Sequence, residues 1–291
     1  MDQHIPVLFQ PALDFLAIRP DGIYVDATFG AGGHSRGILH RLPGGRLIAF
    51  DADPQAAPRA AAIADSRFTF VSSNFRNLAR ELDRLGIEQV DGVLFDLGVS
   101  SMQFDEPTRG FSFRESAPLD MRIDPLAGAS AYDILMQSSE RELADIFFHY
   151  GQERAARKIA RAIVQRRQAG TLPTTTTEFG AMISGLLHRS GQRERIHPAT
   201  RVFQALRIAV NDELDALRDG LDEAVDRLRG AGRVVAISFH SLEDRIVKHK
   251  FREDERLEVI TRKPVVPDKE EMERNPRARS AKLRAAQRKV S

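Results

Sequence analysis

The chain has no cysteine among its 291 residues. This absence excludes disulfide bonds, cysteine-ligated zinc, iron–sulfur clusters and every mechanism that needs a cysteine nucleophile. A chain of this length can bury a large core without such cross-links. A sequence without cysteine also suits a reducing compartment, and we expect a cytoplasmic protein.

Long apolar runs and metal-binding motifs are missing as well. No apolar run approaches the ~18 residues that span a bilayer, and no basic start leads into an apolar signal core. We therefore expect no contact with a membrane. The eight histidines form no H-E-x-x-H motif, so we expect no metal site. The sequence carries no signal for an oligomeric state.

The first third of the chain alternates segments of strand length with segments of helical length. We predict strands over residues 23–26, 47–51, 68–71 and 92–97. Strands that alternate with helices favour a parallel sheet with helices on both faces. The predicted fold class is therefore α/β.

The next convincing strand, residues 233–239, comes much later than a single crossover helix requires. The chain between is helical in character, and Thr175 and Glu178 have the spacing of a capping box that opens a helix through Leu187. We predict an inserted α-helical subdomain over residues 105–199, with residues 1–104 and 200–291 forming the α/β domain. Residues 257–261 and 280–286 are predicted to form a terminal antiparallel hairpin.

Basic residues are concentrated in two segments, although the formal net charge is only +2. A helix predicted over residues 153–168 has an apolar face opposite a basic face. Residues 274–291 contain seven basic residues and no acidic one. Each segment could be an ordinary solvated face or a surface that binds a partner. The basic residues of the helix are Arg154, Arg157, Lys158 and Arg161.

A glycine-rich turn follows the first predicted strand, in the segment DATFGAGGH (26–34). Glycines allow backbone conformations that other residues avoid, and a helix starting there offers N–H groups to a carboxylate or phosphate. The spacing is neither the G-x-G-x-x-G of nicotinamide sites nor the G-x-x-x-x-G-K-[ST] of nucleoside triphosphatases. A tight turn that binds nothing is the alternative.

Candidate ligand residues follow the other strands. Asp51 ends the second strand, where a carboxylate can accept hydrogen bonds from two ribose hydroxyls. Phe75 could lie beside an adenine or belong to the core. Asp96 ends the fourth strand, where open α/β sheets place ligands, although it could simply cap a loop. These features together describe a nucleoside cofactor with a small anionic group, and S-adenosylmethionine fits that description.

Eight blocks along most of the chain carry a family resemblance: DATFGAGGHS (26–35), DADPQA (51–56), DLGVSS (96–101), RGFSF (109–113), PLDMR (118–122), HPATRVFQALR (197–207), SFHSLEDR (238–245) and NPRARS (275–280). They resemble the bacterial ribosomal RNA small-subunit methyltransferase H family, also called MraW.

The resemblance implies a class I S-adenosylmethionine-dependent methyltransferase domain, Rossmann-like, with an inserted helical domain that recognises the substrate. It implies methylation of N4 of a cytidine in the decoding centre of 16S ribosomal RNA, within the small ribosomal subunit. Methylation of cytosine at C5 normally needs a cysteine nucleophile, whereas attack by the exocyclic nitrogen does not. No general base is assigned. The implied cofactor contacts are Gly32, Gly33, His34, Asp51, Phe75, Asp96 and Gln103.

Further residues are candidates for contact with RNA. The basic face of the helix predicted over residues 153–168 and the basic segment 274–291 are candidate surfaces for RNA phosphates. Ser238, near the end of the fifth predicted strand, and His240, which follows it, could line the site, although a serine hydrolase is a competing interpretation that we disfavour. Extruding a base from its stack costs a few kcal/mol, which stacking by the protein can offset. The candidates for holding a flipped cytosine are Arg109, Phe111, Phe113 and Arg122, at the start of the insertion.

Two other functions stay open at this point. A class I methyltransferase acting on another RNA or on a protein would keep the cofactor residues and differ in the insertion. A non-catalytic RNA-binding assembly factor would keep only a nucleoside pocket. The intact Gly32, Gly33, Asp51 and Asp96 argue against loss of the cofactor site.

Overall fold

The computed structural model describes residues 6–99, 103, 106–187 and 197–290. The chain divides into two compact units. The first unit combines residues 1–98 with residues 214–291, and the second unit comprises residues 99–213.

Strands and helices of the described residues are numbered along the chain. The strands are β1 (Ile23–Asp26), β2 (Arg46–Asp51), β3 (Phe68–Ser72), β4 (Val90–Asp96), β5 (Leu228–Ser238), β6 (Leu257–Val259) and β7 (Lys282–Arg288). The helices are α1 (Phe9–Leu16), α2 (Gly33–His40), α3 (Ala56–Ala61), α4 (Leu78–Arg84), α5 (Ala131–Gln137), α6 (Glu140–His149), α7 (Ala156–Gln168), α8 (Thr176–Leu187), α9 (Ala199–Asn211), α10 (Glu213–Arg227), α11 (Ser241–Glu253) and α12 (Lys269–Arg274).

The first unit is built on one seven-stranded sheet in the order β3-β2-β1-β4-β5-β7-β6. Strands β1 to β5 pair in parallel, and β7 runs antiparallel to both of its neighbours. Side chains of β4 alternate between the two faces: Phe95 joins the core beneath α4, α10 and α11, and Leu94 joins the core beneath α1 and α2. The sheet is therefore covered on both sides, as the alternating sequence predicts.

The predicted strands are confirmed with shifts of one or two residues at their ends, except that β5 begins five residues before the predicted start at residue 233. Residues 23–26 form β1 as predicted, and β2 begins one residue earlier than expected. The terminal hairpin is also present, because β6 and β7 pair antiparallel. Since β1, β2 and β4 are neighbours and parallel, their carboxyl ends meet at one edge of the sheet, which places the predicted ligand residues together.

The second unit is helical in its described part, from α5 to α9. Capping boxes open α5 at Ser130 and α6 at Ser139, which satisfies N–H groups at both helix starts. Thr175 and Glu178 make the predicted side-chain contact at the start of α8, at 2.8 Å. The apolar faces of these helices enclose a core of their own.

The boundary between the units differs from the predicted one. The second unit extends to residue 213 instead of 199, because α9 packs its apolar face into the helical core. Val202, Phe203 and Leu206 of α9 are buried there. Asn211, at the end of α9, donates to the Met121 carbonyl at 2.8 Å. A boundary at residue 200 would separate α9 from the core that it completes.

No helix among the described residues combines the length and the apolar character that crossing a bilayer requires.

Candidate functional site

The turn after β1 depends on glycines in left-handed backbone conformations. Gly30 has φ 53° and Gly32 has φ 76°. Gly32 precedes α2, whose first turn offers N–H groups that have no helical partner. A Cβ on Gly32 would lie 2.7 Å from the Phe29 ring, and a Cβ on Gly33 would collide with Pro6. The loop backbone is therefore packed too closely for larger residues.

A buried polar network holds this loop at the ends of β1 and β4. Asp26 is fully buried and accepts hydrogen bonds from the Ser35 hydroxyl at 2.6 Å and the Thr28 N–H at 3.2 Å. The Thr28 hydroxyl accepts a hydrogen bond from the Asp96 N–H at 2.7 Å. Because burial disfavours the ionised carboxyl, the pKa of Asp26 is raised above its ordinary value. This network fixes the loop relative to Asp96.

Ser35 also bears on the hydrolase interpretation. The segment GHSRG (33–37) has the G-x-S-x-G spacing of a hydrolase nucleophile elbow. A nucleophile at such an elbow is exposed, whereas the Ser35 side chain is fully buried and donates to Asp26. The serine therefore supports the loop, and the structure gives it no access to a substrate.

Asp51, at the end of β2, is tied to the same loop. Its Oδ2 accepts the Gly30 N–H at 2.8 Å, and its Oδ1 accepts the Asp53 N–H at 2.8 Å. Burial raises the pKa of Asp51 to about 6 against these two hydrogen bonds, and the charge of Asp53 adds to the rise. Each carboxylate oxygen has a second lone pair. Asp51 can therefore still accept hydrogen bonds from a ligand.

His34 and Asp96 form a pair at the start of α2. His34 is 4% exposed, and its Nε2 lies 3.4 Å from Asp96 Oδ2, within ion-pair range but without hydrogen-bond geometry. Burial alone would lower the pKa of His34, but the adjacent Asp96 and the more distant Asp26 outweigh burial and raise it. Within the described residues, Asp96 Oδ1 is buried and has no hydrogen-bond partner. A buried acceptor of this kind is costly unless a ligand donates to it.

Phe75 and Gln103 complete the predicted cofactor set. Phe75 begins a short 3-10 helix after β3 and is half-buried. Its ring packs edge-on against Phe95, with ring centroids 5.5 Å apart, and against Gly220, and its contact with an adenine stays a prediction. Gln103 lies in the second unit, where its side chain is buried, and its contact with a cofactor stays a prediction.

The charges at this edge of the sheet determine which kinds of ligand it can bind. Asp51, Asp26 and Asp96 end three adjacent strands, β2, β1 and β4. The N-terminus of α2 carries the positive end of a helix dipole beside them. This arrangement suits a ligand with positive charge near the aspartates and one small anionic group at the loop. It disfavours a polyphosphate.

Ser238 and His240, predicted to line the site, have structural contacts. Ser238 is buried at the end of β5, and its hydroxyl donates to the Lys282 carbonyl at 3.3 Å. His240 caps α11, and its Nδ1 accepts the Glu243 N–H at 3.4 Å. The Glu243 carboxylate in turn accepts the His240 N–H at 3.2 Å, which completes a capping box. Burial contradicts direct contact between Ser238 and RNA.

Two residues predicted to hold a flipped base are inside the second unit. Arg109 is buried and donates to the carbonyls of Arg122 at 3.1 Å and Ile123 at 2.6 Å. Phe111 is buried in the helical core. Neither side chain has a face open to a base, so the structure contradicts a stacking role for both.

Phe113 and Arg122 are closer to the surface but are engaged by neighbours. Phe113 stacks on His197, with ring centroids 4.5 Å apart, and meets the Phe203 ring edge-on at 5.0 Å. Arg122 is paired with Asp120 at 2.7 Å. A role for either one in binding RNA stays a proposal.

The basic face of α7 is exposed as predicted. Ala156, Ile159 and Ile163 are buried on the opposite side of the helix. Arg161 lies 3.6 Å from Glu140, an exposed pair that contributes little to stability. The four basic residues Arg154, Arg157, Lys158 and Arg161 are all exposed.

Part of the basic C-terminal segment forms a strand of the sheet. Residues 282–288 form β7, and Lys282 and Arg284 both pair with Asp244, at 3.2 Å and 2.7 Å. Arg288 donates to the Val225 carbonyl. Lys289 donates to the Glu255 carbonyl at 2.8 Å, so four of the seven basic residues contact the fold. A role of this segment in binding RNA stays a prediction.

The family of the chain follows from comparison with known proteins. A model of the MraW methylase family matches residues 1–289. The chain belongs to the MraW methylase family. Its fold class is accordingly that of a class I methyltransferase, with the Rossmann-like sheet of the first unit. The resemblance predicted from the eight sequence blocks is confirmed.

Curated MraW relatives are similar over nearly their whole length. Ribosomal RNA small subunit methyltransferase H from Thermomicrobium roseum is 50% identical over 307 aligned positions, covering 98% of this chain and 93% of the relative. The protein of the same name from Carboxydothermus hydrogenoformans is 48% identical over 306 positions, covering 98% and 97%. A solved rRNA methylase from Streptococcus thermophilus aligns with 100% of this chain and 99% of its own at 13% identity, with a TM-score of 0.46. That likeness is too low to bear on function.

The structure adds residues to the MraW site that the sequence did not single out. They support the site through hydrogen bonds. The Thr28 hydroxyl accepts from the Asp96 N–H, the Ser35 hydroxyl donates to Asp26, and the Asp53 N–H donates to Asp51. Arg59 also holds the loop, since its Nε donates to the Gly30 carbonyl at 3.1 Å. The DATFGAGGHS and DADPQA blocks contain three of these residues, but spacing alone does not reveal which members contact each other.

Proposed function

We propose that this MraW-family chain uses S-adenosylmethionine to methylate N4 of a cytidine in the decoding centre of 16S ribosomal RNA. The family match over residues 1–289 carries the proposal, together with two relatives named as small-subunit ribosomal RNA methyltransferases. The substrate is then the RNA of the small ribosomal subunit, and the enzyme works in the cytoplasm.

The acidic edge of the sheet fits S-adenosylmethionine. The N-terminus of α2, with Gly32 and Gly33, would bind the amino-acid carboxylate. The unpartnered Oδ1 of Asp96 would accept a hydrogen bond from a donor of the amino-acid end. Asp51 would accept from the ribose hydroxyls and Phe75 would lie against the adenine. The cofactor supplies a methyl group activated by its sulfonium.

His34 would act through Asp96 and not by touching the cofactor. Its ring is almost fully buried between Asp96 and the Phe9 ring, whose centroid lies 5.8 Å away. The Asp96 carboxylate raises the pKa of His34 against burial, and the charged ring, 3.4 Å away, would fix the orientation of that carboxylate. His34 is therefore a positioning residue for the Asp96 carboxylate.

Attack by an amino nitrogen suits a chain that offers no cysteine. The lone pair of the cytosine amino group needs no covalent intermediate, so orientation of the two reactants supplies the main effect. Correct alignment of reacting atoms can contribute roughly 7–11 kcal/mol to lowering a barrier. The residues of the first unit hold the donor, and the second unit recognises the RNA.

The exposed basic face of α7 is the surface that we assign to RNA phosphates. Arg157, Lys158 and Arg161 lie on one side of this helix, whose other side is buried, and the exposed Arg154 precedes its first residue. Neutralising phosphates releases counterions, so binding should weaken steeply as salt rises.

The test is nucleoside mass spectrometry of small ribosomal subunits that lack this modification, after incubation with the protein and S-adenosylmethionine. We expect new N4-methylcytidine, and none with the Asp51→Ala variant. Calorimetry with S-adenosylhomocysteine measures the binding defect of the variant, and its thermal unfolding shows whether the variant is still folded. Cofactor binding without any new methylated nucleoside would contradict the proposed substrate.

A further inference from the structure

The second unit presents an exposed imidazole on top of an aromatic stack. His197 lies parallel to Phe113, with ring centroids 4.5 Å apart and an interplanar angle of 22°. Phe113 is braced from the side by Phe203, at 5.0 Å and 70°. Gly180 lies directly behind it, where a Cβ would come within 3.1 Å of the Phe113 Cβ. The residue beneath the imidazole is therefore rigidly held.

Hydrogen bonds fix the edge of the His197 ring. Its Nδ1 accepts the Ala199 N–H at 3.3 Å. Its Nε2 lies 3.4 Å from the Ser184 hydroxyl, which itself donates to the Gly180 carbonyl at 2.9 Å. Since the Ser184 proton is used, the Ser184 oxygen is left to accept from the Nε2 side of the ring. These contacts fix the orientation of the ring.

His197 is exposed although its neighbours hold its ring. Phe113 covers one face, and both nitrogens on the edge have contacts. A flat ring that is held in place on an exposed residue can serve as a stacking platform through the face opposite Phe113, and its position is fixed before any ligand arrives.

Two cationic side chains belong to the elements around this platform. Lys158 of α7 donates through Nζ to the Leu186 carbonyl at 2.5 Å, in the same last turn of α8 that holds Ser184. Arg201 follows His197 by four residues and is exposed on α9. An aromatic face beside cationic side chains is the arrangement by which proteins bind single-stranded nucleic acid.

We propose that His197 is a stacking platform for an unpaired base of the RNA substrate, with Lys158 and Arg201 contacting the adjacent phosphates. This inference rests on the proposed function only in taking RNA as the substrate. It differs from the sequence-based expectation, in which Phe113 itself stacks on the base, because His197 covers the face of Phe113. The platform serves affinity for RNA and takes no part in the chemical step.

A pair of substitutions separates stacking from structural support. His197→Phe keeps a flat ring on Phe113 and loses both hydrogen bonds. His197→Gln keeps polar contacts at the edge and loses the ring. His149→Gln, at an exposed histidine of α6, is the matched control. The measurements are binding of full-length variants to unmodified small ribosomal subunits, KM and kcat for methylation, and thermal unfolding.

We expect His197→Gln to raise Kd and KM for subunits roughly 5- to 150-fold, the range for loss of one stacked base, with kcat little changed. His197→Phe and His149→Gln should stay close to the unmodified chain. The opposite order, with Phe impaired and Gln normal, would show that the hydrogen bonds matter and would overturn the stacking role. Equal affinity of all variants would overturn it too.

The proposed function is judged separately, by the product that the unmodified chain forms. N4-methylcytidine formation with unaltered affinity in His197→Gln would refute only the platform. Tight binding of subunits without N4-methylcytidine would refute the proposed reaction and still allow the variants to be ranked. No binding of subunits by the unmodified chain would refute both.

Discussion

Replacing Asp51 by asparagine should stabilise the protein at neutral pH and prevent it from holding a nucleoside. Burial raises the pKa of this carboxyl from 3.8 to about 6 in the folded chain. A folded-state pKa above the unfolded value means that the folded chain binds the proton more tightly. Stability therefore falls as pH rises from about 3.8 to about 6, and at neutral pH the ionised carboxylate costs roughly 3 kcal/mol.

The asparagine removes that cost but loses one hydrogen bond. Asp51 accepts the Gly30 N–H on one oxygen and the Asp53 N–H on the other. An amide has only one oxygen, so one of these N–H groups loses its acceptor, at a cost of about 1–2 kcal/mol. The net gain in the free energy of unfolding at neutral pH is then about 1–2 kcal/mol.

The dependence on pH is a cleaner signal than the net value, because the missing hydrogen bond costs the same at every pH. Urea unfolding of both chains, at about pH 4.5 and about pH 7.5, should show the stability difference shifting by roughly 2 kcal/mol in favour of Asp51→Asn. Asp65→Asn is the matched control. Arg67 lowers the pKa of Asp65 to about 2, so its contribution to stability is lost only below this window.

Two results would refute the reasoning about Asp51. A stability difference that is equal at both pH values would mean that burial does not penalise the carboxylate. The second refuting result would come from calorimetry. If Asp51→Asn bound S-adenosylhomocysteine with unchanged affinity, Asp51 would be excluded as the ribose acceptor. We expect a variant that is more stable than the unmodified chain and no longer binds S-adenosylhomocysteine. This outcome would mean that Asp51 lowers the stability of the fold and serves cofactor binding.

Three further predictions concern the loop, the strand end and the basic helix. Asp96→Ala should abolish methyl transfer, and near-normal formation of N4-methylcytidine by mass spectrometry would exclude the assignment. Gly32→Ala should lower the thermal midpoint more than Gly86→Ala, because both residues have positive φ but only Gly32 has a ring within 2.7 Å of the new Cβ; equal midpoints would contradict the crowding. Arg157→Glu with Arg161→Glu should weaken binding to small subunits and make the slope of log K against log salt shallower, by about 0.7–0.9 for each phosphate that is no longer neutralised. Arg84→Glu, exposed on α4, is the control, and unchanged affinity in the double variant would exclude the α7 face.

The sheet was predictable because buried parallel strands have near-continuous apolar sequences. The β4 segment VLF (93–95) ends at a charged residue, which marked both the strand and its functional end. The first part of β5 was missed, since Leu228-Arg-Gly-Ala-Gly contains two glycines with low strand propensity. Strand propensity fails there because pairing with β4 holds the segment, through a register shift at Val90 and Gly92.

The acidic edge was predictable for a related reason. In a parallel sheet the carboxyl ends of neighbouring strands lie at the same edge, so the topology alone places a strand-end side chain there. Asp51 ends β2 and Asp96 ends β4, at this edge. The supporting contacts were not predictable, because they join Ser35 to Asp26 and Thr28 to Asp96 across turns whose paths are not periodic. The contact between His34 and Asp96 could not be predicted for the same reason.

The helical unit shows why a family block does not by itself identify a contact with the substrate. Blocks 109–113 and 118–122 close on each other: the Arg109 side chain donates to the carbonyls of residues 122 and 123, and the Arg109 carbonyl accepts the Met121 N–H at 3.0 Å. Gly110, with φ 73°, lets the two segments approach, since a Cβ there would meet the Pro118 carbonyl. Only a few residue types can make these contacts between two irregular segments. The residue types at such positions are therefore limited by structure, as those of a binding site are limited by the ligand. What separates the two cases is exposure, and by that criterion His197, not Arg109, is placed to meet RNA.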